Sequence, residues 1–481
     1  MKHALLVTLL FVLVLTNVTT GRAQWHCLYA TWDEETNGTG HNTTGVGIIR
    51  ENMFVSLVMT RGVRNFMIPY VNTDSSLGRV YTYGYGGATS NIYQVWTDGG
   101  FDEVQMLNAF ALKATPDSLI YVANNDPDHN ILVFKYVNDT INAVSPFPRQ
   151  ITGSNGIFGI DVDQNGFVYV CNDTSIGVTN DIKIYNPVSQ WSPSHTDPPV
   201  RTINLPDGIY RGIGVTPSGN WVFVSDHDNR RVLKFVGSPQ TGYAQDTGFN
   251  FQLSPNDTIV GSPLRPGPLG LAYLASNNIL FVAVDAWLGG GQAYPYGRVY
   301  LVNPLNGEFV SSDTSVYIID AAAWNFALTG GYNLRTNGTI PGNASGYTSV
   351  YDVEFDQAGN VYTQSHYGWT VDKWAYNGTL PIITSVEEIP GNAPEFYQLR
   401  QNYPNPFNPA TTIEFALLES GHVTLSVFDV LGRQVKTLVD EFRDAGTYRV
   451  TFGADDLPSG AYYYRLNTGG FTDTRRMLLV K

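Results

Sequence analysis

The stretch ALKATPDSLIYVANNDPDHNILVFKY, from Ala111, is an apolar run, a polar turn, a second run rich in β-branched and aromatic residues, Asn and Asp, then a third alternating run. Related text recurs as GIDVDQNGFVYVCNDT from Gly159, GIGVTPSGNWVFVSDHDNRRVLKF from Gly212, GLAYLASNNILFVAVD from Gly270 and YDVEFDQAGNVYTQSHYGW from Tyr351. Period-two alternation broken by Gly, Asn and Ser predicts strand, turn, strand, turn, strand. Gly and Asn suit those turns because they reach positive φ at little cost. The second-strand aromatics Tyr121, Tyr169, Phe223, Phe281 and Tyr362 act as a ruler, with steps of 48, 54, 58 and 81 residues.

A further copy is expected within 45–97. There MFVSLVMT (53–60) serves as the second strand and Gly78-Arg79-Val80-Tyr81 matches the third-strand text Arg230-Arg231-Val232-Leu233 and Gly297-Arg298-Val299-Tyr300. The count is six. Sheet units near 50 residues long cannot each bury two faces alone, and a radial array lets neighbours cover each other. The predicted fold class is therefore all-β: a six-bladed β-propeller. The long last step places an insertion within 304–345. Whether the N-terminal strand completes the last blade stays open.

The copy FVSDHDNRRVLKF (223–235) resembles the NHL-type propeller repeat, in which an apolar strand ends in Asp and a short turn carries Asn-x-Arg. The resemblance covers roughly residues 45–385 and bears on architecture, not activity. Asp226 then fixes a turn between second and third strands. His129, His227 and His366 occupy that same turn in alternate copies, which raises a zinc site. Zinc needs its ligands near 2.1 Å, and short turns away from the axis cannot converge, so no metal ligands are assigned.

Chemistry is better placed where the innermost strands line the axis. The candidates are Asp352, Glu354 and Arg211, with Phe158 and Asn108 beside them. Six-bladed lactonases of the gluconolactonase type hold axial calcium with oxygen ligands. This chain is similar to them only in blade number, and Arg211 would oppose a cation. Aromatics make up 13% of the chain, and Trp287, Trp324, Trp369 and Trp374 fall in or near loops of the last two copies. They are the candidate ligand face; packing between blades is the competing reading.

Composition adds limits. The chain has 481 residues and a net charge of −14, so nucleic acid, which needs a basic surface, is not an expected partner. MKHALLVTLLFVLVLTNVTTGRAQ has a basic start, a short apolar run and small residues at 21 and 23. It reads as a secretory signal cleaved after Ala23, and no transmembrane segment is expected. Only Cys27 and Cys171 are present, and their pairing is open.

After Tyr376 the text changes to a Pro- and Glu-containing connector, then to alternating strands punctuated by Gly432, Gly446 and Gly460. This predicts a small Ig-like β-sandwich. Asn402-Tyr403-Pro404-Asn405-Pro406-Phe407-Asn408-Pro409, Val427-Phe428-Asp429-Val430-Leu431-Gly432-Arg433, Leu457-Pro458-Ser459-Gly460-Ala461-Tyr462-Tyr463-Tyr464 and Lys481 closely resemble the type A C-terminal sorting domain of the bacterial type IX secretion system. The resemblance implies passage through the periplasm, the type IX machinery as partner, and delivery outside or onto the cell surface. The expected domains are a signal at 1–23, the propeller at 24–385, a linker at 386–396 and the sorting domain at 397–481. The leading functional expectation is a non-enzymatic binding protein for a glycan, peptide or protein, with no cofactor. The alternative is a calcium- or zinc-dependent hydrolase or lyase at the axis.

Overall fold

A computed structural model of the chain describes residues 25–30, 42–50, 53–60, 64–72, 77–79, 92–97, 100–105, 109–126, 129–137, 140–143, 156–173, 179–191, 197–254, 265–286, 297–310, 318–320, 350–356, 358–365, 370–376, 378, 380–383, 386–389, 394, 396–408, 410–454 and 457–480. Six antiparallel sheets are built on successive chain segments, each segment beginning with an inner strand, and the sixth sheet adds a strand from the start of the chain. The inner strands are Asn42–Arg50, Ala111–Ala114, Ile157–Val162, Tyr210–Val215, Gly267–Leu274 and Asp352–Phe355. Each touches the next, and the sixth touches the first, which closes the ring. That order makes the molecule a six-bladed propeller, as the repeat predicts.

The ring closes with the N-terminal strand. Trp25–Ala30 pairs antiparallel with Thr370–Tyr376 and supplies the outermost strand of the sixth blade. Trp25 is buried against Phe281 of blade five and Tyr376 of blade six. Closure by residues from the two ends of the propeller sequence fastens the first blade to the last.

In blades three and four, glycine stands where the inner strand crowds its neighbour. A Cβ on Gly212 would run into the Leu269 carbonyl of the next blade, and one on Gly159 into the Ile213 amide. The ruler aromatics are all buried, and each pairs with an inner-strand residue on one shared rung: Lys113 with Tyr121, Asp161 with Tyr169, Gly214 with Phe223, Ala272 with Phe281, and Glu354 with Tyr362.

Three details depart from expectation. In blade one the third strand is Arg64–Asn72, and Leu77–Arg79 is the fourth, so Gly78-Arg79 is not the third-strand counterpart it resembles. Pro69 and the broken alternation of RNFMIPYVN concealed the true third strand. A separate hairpin, Ile92–Thr97 with Gly100–Gln105, follows blade one instead of belonging to it. Finally, Val386–Ile389, within the expected linker, pairs with Gly446–Gly453 and forms an edge strand of the C-terminal sandwich. Of the range 304–345 expected to hold the insertion, residues 311–317 and 321–345 lie outside the described residues, as do the signal segment and His366.

The sandwich has two four-stranded sheets. One runs Val386–Ile389, Gly446–Gly453, Ala410–Leu417, Gln398–Leu399; the other runs Gln434–Arg443, Gly421–Phe428, Gly460–Thr468, Phe471–Leu479. Their inward residues, among them Ile413, Phe415, Leu425, Val450 and Tyr464, form one core. Asn402 ties the proline-rich entry to that core: its side-chain amide donates to Pro404 O and Thr411 Oγ1 and accepts from Gln401 Nε2, and its backbone N–H donates to Tyr464 Oη.

The two parts meet through residues 380–383. Asn277 donates to the Leu380 carbonyl at 3.1 Å and Asn278 to the Ile383 carbonyl at 2.9 Å, both from the first hairpin turn of blade five. Leu380 joins the core between blades five and six. Ile382 lies against Gly453 of the sandwich, where a Cβ would not fit.

Candidate functional site

Inner strands of five blades surround a small axial cavity lined by Lys113, Phe158, Asp161, Arg211, Asp352 and Glu354, among others. Asp352, Glu354 and Arg211, picked from the sequence, thus do meet at the axis, and Phe158 joins them. Asn108 lies outside the described residues. The sequence reading missed Lys113 and Asp161. Both stand on the rung marked by the ruler aromatics, and reading the residue opposite each aromatic would have found them.

Lys113 decides the site's electrostatics. Its ammonium lies 2.6 Å from Glu354 Oε1 and 3.4 Å from Asp161 Oδ1. Burial alone would lower the Lys113 pKa, but Asp161 and Glu354 outweigh it and hold the ammonium firmly protonated. Burial raises Glu354, against the pull of Lys113. Among the described residues no cation forms an ion pair with Asp352, and Lys113 lowers its pKa only as the smallest of the effects on it. Burial pushes its carboxyl up to about 8, with Glu354 adding to the shift, so it keeps a proton at neutral pH. It accepts the Val46 N–H at 3.2 Å from blade one and the Val353 N–H at 2.9 Å from its own strand.

Arg211 belongs to a different set. Its Nη1 lies 2.6 Å from Asp173 Oδ2, and its guanidinium sits 3.9 Å from the centre of the Phe158 ring. Asp173 also accepts the Tyr210 N–H at 2.6 Å, so one carboxylate joins blades three and four through side chain and backbone. Asp161 likewise accepts the Val215 N–H at 2.7 Å, and Asp285 accepts the Val350 N–H at 2.9 Å. The acidic residues near the axis therefore act mainly as acceptors for the neighbouring blade's backbone.

The residues do not suit an axial calcium. A cation there would sit among Asp161, Glu354 and Asp352, and the Lys113 ammonium already takes the first two as partners. The cavity holds about 30 Å³, the scale of a water molecule or two. Pockets for small organic ligands are about 300 Å³ or more.

The turn between second and third strands in blade four is structural. Asp226 is fully buried; its oxygens accept the Asn229 N–H and side-chain amide and face Arg231 Nε at 2.9 Å. His227 Nε2 is 3.2 Å from the Asp285 carbonyl of blade five, and Nδ1 is 3.3 Å from Asp228. Arg230 donates to the Pro266 and Ser254 carbonyls. Among the described residues no three His, Cys, Asp or Glu side chains are placed to share an ion.

Of the four tryptophans, Trp287, Trp324 and Trp369 lie outside the described residues. Trp374 is not at a surface. It is buried on the third strand of blade six, with Nε1 donating to Thr363 Oγ1 at 2.9 Å, and its candidacy as a ligand residue is corrected to core packing. Cys171 is a free, buried thiol that burial raises to about 12, so it is neither bridged nor reactive.

Comparison with known proteins fixes the C-terminal part. Residues 401–481 match the secretion system C-terminal sorting domain. The sandwich is thus a sorting domain, and it marks the chain for export by the type IX route to the cell surface or the medium. No described helix is long and apolar enough to cross a membrane.

Among solved structures, similarity extends to a protein from Lactobacillus plantarum at 10% identity, covering 85% of this chain and 87% of that one, with a TM-score of 0.40. The β-propeller domain of Cps50 (Swd1) from Myceliophteria thermophila matches at 10% identity over 73% and 99%, with a TM-score of 0.41. The periplasmic gluconolactonase of Pseudomonas aeruginosa matches at 11% identity over 85% and 88%, with a TM-score of 0.39. No curated protein matches in sequence. The propeller assignment rests on the chain's own strand order.

Proposed function

We propose that the protein is an exported binding protein: the sorting domain delivers it, and the propeller presents a face to a glycan, peptide or protein. The observation that carries this reading is Lys113, whose ammonium contacts both Asp161 and Glu354 and takes up the charges an axial catalyst would need. The axis then acts as a plug that fastens blades two, three and six. Ligand recognition falls to the loops around it. Arraying the purified exported chain against glycans and peptides tests the proposal. Specific binders are expected, and none should be consumed on incubation.

A hydrolase or lyase remains the second reading, because Asp352, a proton-bearing carboxyl beside Glu354, has the perturbed titration that acid catalysts use. The Asp352→Ala change separates the two: turnover of any array hit that this change abolishes would replace binding by catalysis.

A further inference from the structure

One end of the sorting domain's outer face combines exposed apolar groups with arginines. Phe428 pairs with Tyr463, and Tyr463 with Arg476, so the three share one rung across the second sheet. The next outward pair toward that end is Ala461 with Leu478. The turn after Phe428 exposes Val430 and Leu431 by 65% and 74%, and Tyr463, Leu478 and Val480 are also open to solvent. The Arg465 guanidinium lies 5.0 Å from the Phe428 ring centre, and its Nε donates to Thr474 Oγ1. Several exposed apolar groups gathered at one end of a sheet mark a contact surface, whereas single exposed residues do not. An apolar and aromatic centre flanked by Arg, with Lys and Glu absent from these rungs, matches the composition of protein interfaces.

We propose that this end of the face, centred on Leu431, Tyr463 and Leu478, is where the sorting domain docks on a protein component of the secretion machinery. The fitting partner presents an apolar recess edged by carboxylates, which meet Arg465 and Arg476. The partner class follows from the family match, which makes this domain the part of the chain that a secretion system reads. The docking end follows from the cross-strand register and exposure.

The test is export of the full chain in a bacterium that carries a type IX system, with cell fractions and medium assayed separately. Leu431→Asp and Arg476→Glu are each expected to lower the delivered fraction by about tenfold or more, the cost of one good interface contact. The retained protein should collect in the periplasm and melt at the wild-type temperature. His422→Glu, at the opposite end of the same sheet, should export normally. Normal export of both Leu431→Asp and Arg476→Glu overturns the proposal. So does binding of the purified full chain to phosphatidylglycerol vesicles that these two substitutions abolish, because the face would then recognise lipid. If Leu431→Asp melts early, Leu431→Ser takes its place and the same outcomes apply.

Discussion

The backbone N–H of Val46 donates to Oδ2 of Asp352 at 3.2 Å, joining residues 306 apart in sequence at the seam between the first and last blades. In register, Asp352 stands where Gly159 and Gly212 stand in blades three and four. The sixth blade thus replaces the glycine of earlier copies with a carboxyl that reaches across the seam. This bond and the Trp25–Ala30 strand close the ring from inside and outside.

The seam should be sensitive to pH. Asp352 titrates at about 8 in the folded chain, against an ordinary 3.8. Its protonated form favours the fold. That contribution is full below about pH 4 and is lost as pH rises through about 8, with a slope of up to about 1.4 kcal/mol per pH unit. Asp285, raised by burial to about 7, acts in the same direction over a lower window. Urea unfolding of Asp352→Asn between pH 5 and pH 8.5 should show a flatter stability profile than the wild type. An unchanged profile would remove Asp352 from the account.

Lys113 should matter more than a surface lysine. Removing it as Lys113→Ala leaves Glu354 and Asp161 buried without their cation, a change that costs about 3–5 kcal/mol. The double change Lys113→Met with Glu354→Gln should recover part of that loss. Denaturant midpoints of that double variant and of Lys113→Met and Glu354→Gln made singly give the coupling directly. Simple additivity would mean that the 2.6 Å contact contributes nothing.

Much of the propeller was legible because its copies share text. The ruler aromatics marked five blades, MFVSLVMT (53–60) marked the second strand of the first, and the turn residues marked the position of the Asp226 turn. Lys113 escaped notice because ALKA looks like an ordinary alternating strand. Its importance arises only when the rung opposite Tyr121 is set beside those opposite Tyr169 and Tyr362, a relation between blades that no local pattern carries. VEEI was read as connector because paired glutamates suggest solvent, yet an edge strand tolerates them on its open side. Trp374 looked like a loop aromatic because the turn-like text His366-Tyr367-Gly368 stands shortly before it in the sequence.

The outer closure should be as costly to open as the inner one. Trp25 is buried, with ring centres 5.0 Å from Tyr376 and 6.4 Å from Phe281. Trp25→Ala should destabilise the propeller by about 3–5 kcal/mol, the usual cost of deleting a buried aromatic. Hydrogen exchange should locate the loss in Thr370–Tyr376, the strand that Trp25–Ala30 covers. Protection there equal to the wild type would argue that the N-terminal strand is not the clasp.

The edge strand Val386–Ile389 should shield its partner. Deleting residues 386–389 from the full chain uncovers one side of Gly446–Gly453. Faster amide exchange is expected along that strand, by about tenfold or more where a ladder bond of about 1.4 kcal/mol is lost. Exchange in the other sheet should stay as it was. Equal protection in both chains would place the start of the sorting module after residue 389.

The central claim is that an internal ammonium, in place of a metal, holds the axial carboxylates. Adding calcium or zinc in millimolar excess to the purified chain and following thermal unfolding tests it most directly. The account predicts melting temperatures that do not move with either ion, in the wild type and in Glu354→Gln alike. A rise of about 5 °C or more, as expected for an ion bound well above its Kd, and its disappearance in Glu354→Gln, would contradict the account and return the axis to metal chemistry.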